Sequence, residues 1–125
     1  MTTVLVVEDE LNIRKFVSAN LKARGFQVLE APDAETGVAI IQNTIPDAIV
    51  LDIKLPGMDG WQFLETVTVN PNLAEIPTVV MTAHVMDSEA RQLRFQNVSE
   101  VIFKPVSAAQ MVAAVQKALN GAKTM

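Results

Sequence analysis

The sequence predicts an α/β domain built on five parallel strands in the order 2-1-3-4-5, with helices on both faces of a doubly wound sheet. Three observations carry this expectation. First, five short apolar runs, Val4–Val7, Phe26–Leu29, Ala48–Leu51, Thr78–Met81 and Val101–Phe103, recur along the chain. None has the strict polar alternation of a strand with one wet face, as expected of strands covered on both sides. Second, amphipathic stretches with helical spacing separate the runs, and such alternation gives right-handed crossovers and a parallel sheet. Third, 125 residues hold five strand–helix units better than six, which selects between the two common doubly wound orders.

The elements follow in chain order. After Val4–Val7, the residues Ile13, Phe16, Val17 and Leu21 share one helix face, and Gly25 closes that helix. After Phe26–Leu29, the residues Ala34, Val38 and Ile41 repeat the pattern behind Asp33, a residue suited to a helix N-terminus. After Ala48–Leu51, the stretch Leu55-Pro56-Gly57 reads as a turn, and Phe63, Leu64 and Val67 follow Asp59-Gly60. Trp61, the single tryptophan, starts that helix as a packing residue. After Thr78–Met81, the stretch Met86–Phe95 carries Asp87, Glu89, Arg91 and Arg94 with few apolar anchors, which predicts a short, loosely packed helix. Asn97-Val98 precede the last run, and Asn tolerates positive φ, so a turn is expected there. Ala108, Met111, Val112, Val115 and Leu119 form the clearest stripe, predicted to end at Asn120-Gly121. With no repeat or linker visible, residues 1–125 read as one domain.

Composition narrows the function. Half of the residues are hydrophobic and 19% are charged, enough apolar content for a core and too much for a disordered chain. The absence of cysteine excludes disulfides, thiolate metal sites and Cys nucleophiles, and fits a reducing compartment. A single histidine excludes multi-His metal sites and disfavours a Ser-His-Asp triad. The net charge of −4 argues against direct nucleic-acid binding, which needs a basic face. No apolar run reaches the ~18 residues of a membrane span. The N-terminal stretch Met1–Glu8 lacks the basic start of a signal peptide. A cytoplasmic domain without membrane insertion is expected.

Sites in open α/β sheets form outside the carboxyl ends of the strands. There the chain places Glu8, Asp9 and Glu10 after the first run, Asp52 after the third, Thr82, Ala83 and His84 after the fourth, and Lys104-Pro105 after the fifth. The second run ends in Glu30-Ala31-Pro32 and offers less. Glu8, Asp9 and Asp52 would bring three like charges together, which a hard divalent cation relieves. Lys104 adds a fixed positive charge and Thr82 a hydroxyl. Around one nucleophilic carboxylate, these groups suit a phosphoryl group, whose transfer depends on positioning and charge neutralisation. Taken singly, each residue has a plainer explanation: the acids as helix N-terminal charges, Thr82 as a cap, Lys104 as a surface lysine or a structural partner of Asp52.

The segments Val6-Val7-Glu8-Asp9-Glu10, Leu51-Asp52-Ile53-Lys54-Leu55-Pro56-Gly57-Met58-Asp59-Gly60, Met81-Thr82-Ala83 and Phe103-Lys104-Pro105, in this order and spacing, resemble the receiver domains of two-component response regulators from about Val4 to Leu119. The resemblance implies a flavodoxin-like fold in which Asp52 accepts a phosphoryl group from a histidine kinase or histidine phosphotransfer protein. It implies Mg²⁺ (or Mn²⁺) held by Asp9, Asp52 and the Lys54 backbone carbonyl, with Glu8 reaching the ion through water. Thr82 and Lys104 would each contact a phosphoryl oxygen, and Lys104-Pro105 would be cis. Such a domain promotes only its own phosphorylation and dephosphorylation, and passes the change to a downstream effector protein or domain. The expected partner face is the fourth helix, the fifth strand and the fifth helix. Since no effector domain follows Met125 in this sequence, the chain fits a stand-alone, chemotaxis-regulator-like receiver or an excised fragment.

Departures from the family pattern define the rivals. Val101 stands where most receivers carry Tyr or Phe, which keeps open a pseudo-receiver that binds partners without phosphorylation. An aspartate-nucleophile phosphatase would want an acid two residues after Asp52, where Lys54 stands. A flavin binder would want a Gly/Ser/Thr-rich loop after the first strand, where Glu8-Asp9-Glu10 would repel phosphate. Lys54 and His84, two residues past Asp52 and Thr82, are placed to set the lifetime of a phosphorylated state.

Overall fold

In the computed structural model, which describes residues 1–83 and 95–123, the chain runs β1 (Thr3–Val7), α1 (Leu11–Ala23), β2 (Gln27–Ala31), α2 (Ala34–Asn43), β3 (Ala48–Asp52), α3 (Gly60–Thr68), β4 (Thr78–Thr82), β5 (Val98–Phe103) and α4 (Ala108–Lys123). Every neighbouring pair of strands is parallel, in the order β2-β1-β3-β4-β5. The helix predicted over Met86–Phe95 lies, Phe95 apart, outside the described residues, as does His84.

The apolar runs form strands because alternate residues feed two separate cores. Val4 and Val6 of β1, with Val50, Val79 and Met81, pack beneath Val17 and Leu21 of α1 and Met111 and Val115 of α4. Leu5 and Val7, with Ile49, Leu51 and Val80, pack on the other face beneath Ile41 of α2 and Phe63, Leu64 and Val67 of α3. β1, β3 and β4 therefore lie inside the sheet with apolar cover on both sides. Trp61 completes the second core, its ring stacked on Phe95 with centroids 5.9 Å apart and planes 11° from parallel.

The boundaries obey local chemistry. Asp33 caps α2, its carboxylate accepting from the Thr36 amide at 2.7 Å. Asp59 and Gln62 form a reciprocal capping box on α3, both bonds 2.9 Å. Gly25, at φ +89°, ends α1 as its amide and that of Phe26 bond back to Lys22 and Leu21.

Four expectations about element ends and turns need correction. Phe26, expected to open the second strand, belongs to that helix-closing turn, so β2 starts at Gln27 and extends through Glu30 to Ala31. β5 begins at Val98, not Val101: Ser99 and Glu100 mask its start, and a bulge opposite Thr78/Val79 lets it pair early. Asn97 does not take positive φ. It is buried, and its amide nitrogen donates to the Ile76 carbonyl at 3.0 Å and the Thr78 hydroxyl at 3.3 Å, fixing the turn by side-chain bonds instead. α4 runs past Gly121, because a glycine at ordinary helical φ weakens a helix without ending it.

One residue expected on the buried face of α1 is not there. Phe16 is 43% exposed. With Val17 and Leu21 aimed at the sheet, Phe16 is turned about 100° away. It lines an open groove with Ile13, Pro105 and Val106.

The β3–α3 connection holds the sheet edge to the helix. Pro56-Gly57, with Gly57 at φ +71°, makes the turn, and the Gly60 amide donates to the Ile53 carbonyl at 2.9 Å. A Cβ on Gly60 would sit 2.6 Å from the Asp52 carbonyl oxygen and 2.8 Å from the Ile53 Cα. Gly60→Ala is therefore expected to cost roughly 2 kcal/mol through overpacking against backbone. Gly121→Ala, where an added Cβ meets nothing, is expected to be neutral or stabilising by at most about 1 kcal/mol. Urea midpoints of the two variants at unchanged m-value check the opposite signs.

Candidate functional site

The parallel sheet points the carboxyl ends of β1, β3, β4 and β5 to one rim. Glu8 and Asp9 leave β1 there, Asp52 ends β3, and Thr82 ends β4 one position beyond the Asp52–Met81 pair. Lys104 follows β5, tied to β4 by its amide, which donates to the Thr82 carbonyl at 2.9 Å. The Lys104-Pro105 bond is cis, as the resemblance implied.

The side chains meet. Lys104 Nζ donates to Glu8 Oε1 at 3.0 Å and to Asp52 Oδ2 at 3.1 Å. Asp52 Oδ1 accepts from the Lys54 amide at 3.3 Å. Glu8 is fully buried, while Asp52 and Thr82 are 3% and 4% exposed. Asp9 is exposed on the outer side of the same cluster. One carboxylate oxygen each from Glu8, Asp9 and Asp52 lies within 4.8 Å of the others. Among the described residues, Glu8 Oε2 is buried without a hydrogen-bond partner.

The electrostatics follow from burial. Desolvation, reinforced by Asp52, pushes the Glu8 carboxyl up to about 8, with Lys104 only partly offsetting the shift. Burial by itself disfavours the Lys104 ammonium, but its hydrogen bonds and attraction to Glu8 and Asp52 more than compensate, so its pKa stands above the ordinary lysine value. One ammonium among three acids leaves negative charge over. A hard cation with oxygen ligands fits that excess, the orphaned Glu8 oxygen and the close carboxylates.

All four strand ends named from the sequence thus converge. Lys54 contributes its backbone amide, while its side chain is exposed. Val101 is only partly buried against the core of α2 and α3, with no ring at that position. The sequence reading undervalued two residues. Glu30, dismissed at the end of an edge strand, accepts from Arg14 Nε at 3.2 Å and Lys15 Nζ at 3.2 Å. Arg14 also donates from Nη1 to the Glu8 carbonyl at 2.9 Å. The available signal was an arginine one turn into the helix after the acids, with a glutamate on the neighbouring strand.

Comparison with known proteins agrees with this geometry. Residues 4–116 match the family described as the response regulator receiver domain. The chain belongs to that family. The phosphate regulon transcriptional regulatory protein PhoB of Escherichia coli (strain K12) is 33% identical over 117 residues, covering 94% of this chain and 51% of PhoB. The chain thus spans about half the length of the PhoB sequences it matches. Protein PilH of Pseudomonas aeruginosa is 26% identical over 121 residues, covering 97% of this chain and all of PilH. The chemotaxis response regulator CheY4 of Vibrio cholerae superposes with a TM-score of 0.88 at 25% identity, covering 95% of this receiver chain and 99% of CheY4. No helix among the described residues is long and apolar enough to cross a membrane.

The Glu8 shift has a testable sign. An acid whose folded pKa lies above its unfolded value stabilises the fold fully below about pH 4.5, and that contribution drains away as pH rises towards about 8. In metal-free buffer, the receiver should lose stability on the order of a few kcal/mol between those limits. Glu8→Gln, which cannot ionise, should flatten the slope. Urea unfolding of both proteins across this pH range, with EDTA present, is the measurement.

Proposed function

We propose that this receiver, acting as one domain over residues 1–125, accepts a phosphoryl group on Asp52 within a two-component signalling system. The observation that carries the reading is the Asp52 carboxylate at the sheet rim, with one oxygen on Lys104 and the other on the Lys54 amide, beside two further acids. The donor is a histidine kinase or a histidine phosphotransfer protein. An Asp52 oxygen attacks phosphorus, the P–N bond of the donor breaks, and its electron pair returns to the imidazole nitrogen. The product is a mixed anhydride on Asp52.

Each neighbour has a role in that reading. Lys104 surrenders its bond to Asp52 Oδ2 and pairs with an oxygen of the incoming group, without leaving Glu8. Thr82, at the end of the adjacent strand, donates its hydroxyl to another oxygen. Asp9, Asp52 and the Lys54 carbonyl would hold Mg²⁺ (Mn²⁺ being an acceptable substitute), with Glu8 behind them. When bound, the ion supplies positive charge against the equatorial oxygens of the transferring group. The chain does not act on a separate metabolite, so its chemistry is confined to gaining and losing this group.

The output is a shift in partner binding, set by how differently the modified aspartate stabilises two conformations. β5 and α4 form the described part of the partner face, towards a downstream effector protein or domain. With Val101 in β5, that shift proceeds without an aromatic ring changing place.

Intact mass after treatment with acetyl phosphate and Mg²⁺ tests the reading. The parent should gain about 80 Da, one phosphoryl group, and Asp52→Asn should gain nothing. No gain in the parent would leave an interaction module working without phosphorylation. Lys54 and His84, two residues past Asp52 and Thr82 in the sequence, are proposed to set the decay rate. Replacing both by Ala is expected to shorten the lifetime of the +80 Da species, and an unchanged decay would dismiss that role.

A further inference from the structure

β1 leaves the sheet at Val7, and its last ladder partner is Ala31. The Glu8 amide still reaches the Ala31 carbonyl, at 3.1 Å, but the Glu8 carbonyl has passed beyond the sheet. A backbone carbonyl in a largely buried place needs a donor. Arg14 supplies it from Nη1 at 2.9 Å. The Arg14 amide, meanwhile, donates to the Glu10 carbonyl at 2.9 Å, the first bond of α1. The loop is thus held on both sides of Asp9, by the Arg14 side chain at Glu8 and by the first main-chain bond of α1 at Glu10.

The grip has its own anchor. Glu30 on β2 accepts from Arg14 Nε at 3.2 Å, and Lys15 holds the second Glu30 oxygen at 3.2 Å. The Arg14 and Glu30 side chains are only 14% and 19% exposed, so solvent screens this pair less than a surface pair. The planar fork of arginine meets a carboxylate and a carbonyl at once, which a lysine ammonium on its flexible stem does not reproduce. Glu10, at the cap position of α1, makes no side-chain cap bond.

We infer that Arg14 is a positioning residue for the acidic loop: its guanidinium, anchored by Glu30, holds the Glu8 carbonyl and so fixes where the Asp9 carboxylate stands relative to Glu8 and Asp52. The inference rests on reading those three acids as a Mg²⁺ site. Groups that orient metal ligands matter nearly as much as the ligands themselves. Simple electrostatics predicts the opposite outcome, since deleting a cation near three acids should tighten Mg²⁺ binding.

The experiment is a Mg²⁺ titration of the ¹⁵N-labelled chain, well below its unfolding temperature, together with hydrogen exchange of the Glu8 amide in EDTA. Arg14→Ala should raise the Mg²⁺ Kd about 10-fold and lower Glu8 amide protection. Arg14→Lys should fall between Ala and parent, and it keeps the test valid should Arg14→Ala fold poorly. Ile41→Val, a destabilising change in the opposite core, should leave the Kd as in the parent. A Kd that is unchanged or lower in both Arg14 variants overturns the inference, as does an equal rise in Ile41→Val. A parent that binds no Mg²⁺ sinks the functional reading instead. Unchanged Glu8 amide protection in the Arg14 variants then rejects the positioning role by itself.

Discussion

Burying two carboxylates side by side is unfavourable unless a cation joins them, and the Lys104 ammonium does so by bonding Glu8 and Asp52 together. The lysine arrives from β5, the farthest strand from β2, and reaches across the end of β4. It can do so because the sheet is parallel and every relevant strand ends at one rim. The cation satisfies one oxygen of each acid and leaves the other Glu8 oxygen without a partner among the described residues. That oxygen and the neighbouring carboxylates are ligands of the kind a hard cation takes.

The surroundings stiffen this arrangement from several directions. α3 begins so close beneath the Asp52 carbonyl that only glycine fits at position 60. The capping box of Asp59 and Gln62 fixes that helix start, and the Lys54 amide bonds Asp52 ahead of the Pro56-Gly57 turn. On the other side, Arg14 and Glu30 secure the departure of β1. The acids therefore sit in a frame set by backbone contacts and by the Arg14 guanidinium, and Lys104 spans it from β5.

Much of this was legible in the residues because the signals were local. Continuous Val/Ile/Leu runs marked strands with two covered faces, and the charged or hydroxyl residue after each run marked the rim. Asp33 and Gly25 announced helix ends by chemistry that does not depend on the rest of the fold. What failed was non-local. The start of β5 was hidden because Ser99 and Glu100 look like loop, yet pairing with β4 across a bulge recruits them. Asn97 was read for its backbone tolerance, while its burial turned on side-chain bonds to Ile76 and Thr78. Phe16 fitted a helical stripe, but the exact angle at which α1 lies on the sheet left it facing outward. Arg14 and Glu30 are 16 residues apart, and nothing in their spacing states that a strand brings them together.

The parallel sheet separates the molecule into two ends with different freedoms. The cluster of Glu8, Asp9, Asp52 and Lys104 stands at one end, whereas the connections 24–26, 44–47, 69–77 and 96–97 lie at the other. Sequence drift or an engineered insertion in those distal connections can alter solubility, attachment or assembly while the chemistry stays intact. A scaffold organised this way lends itself to being fused, tethered or transplanted through the end distant from the acids.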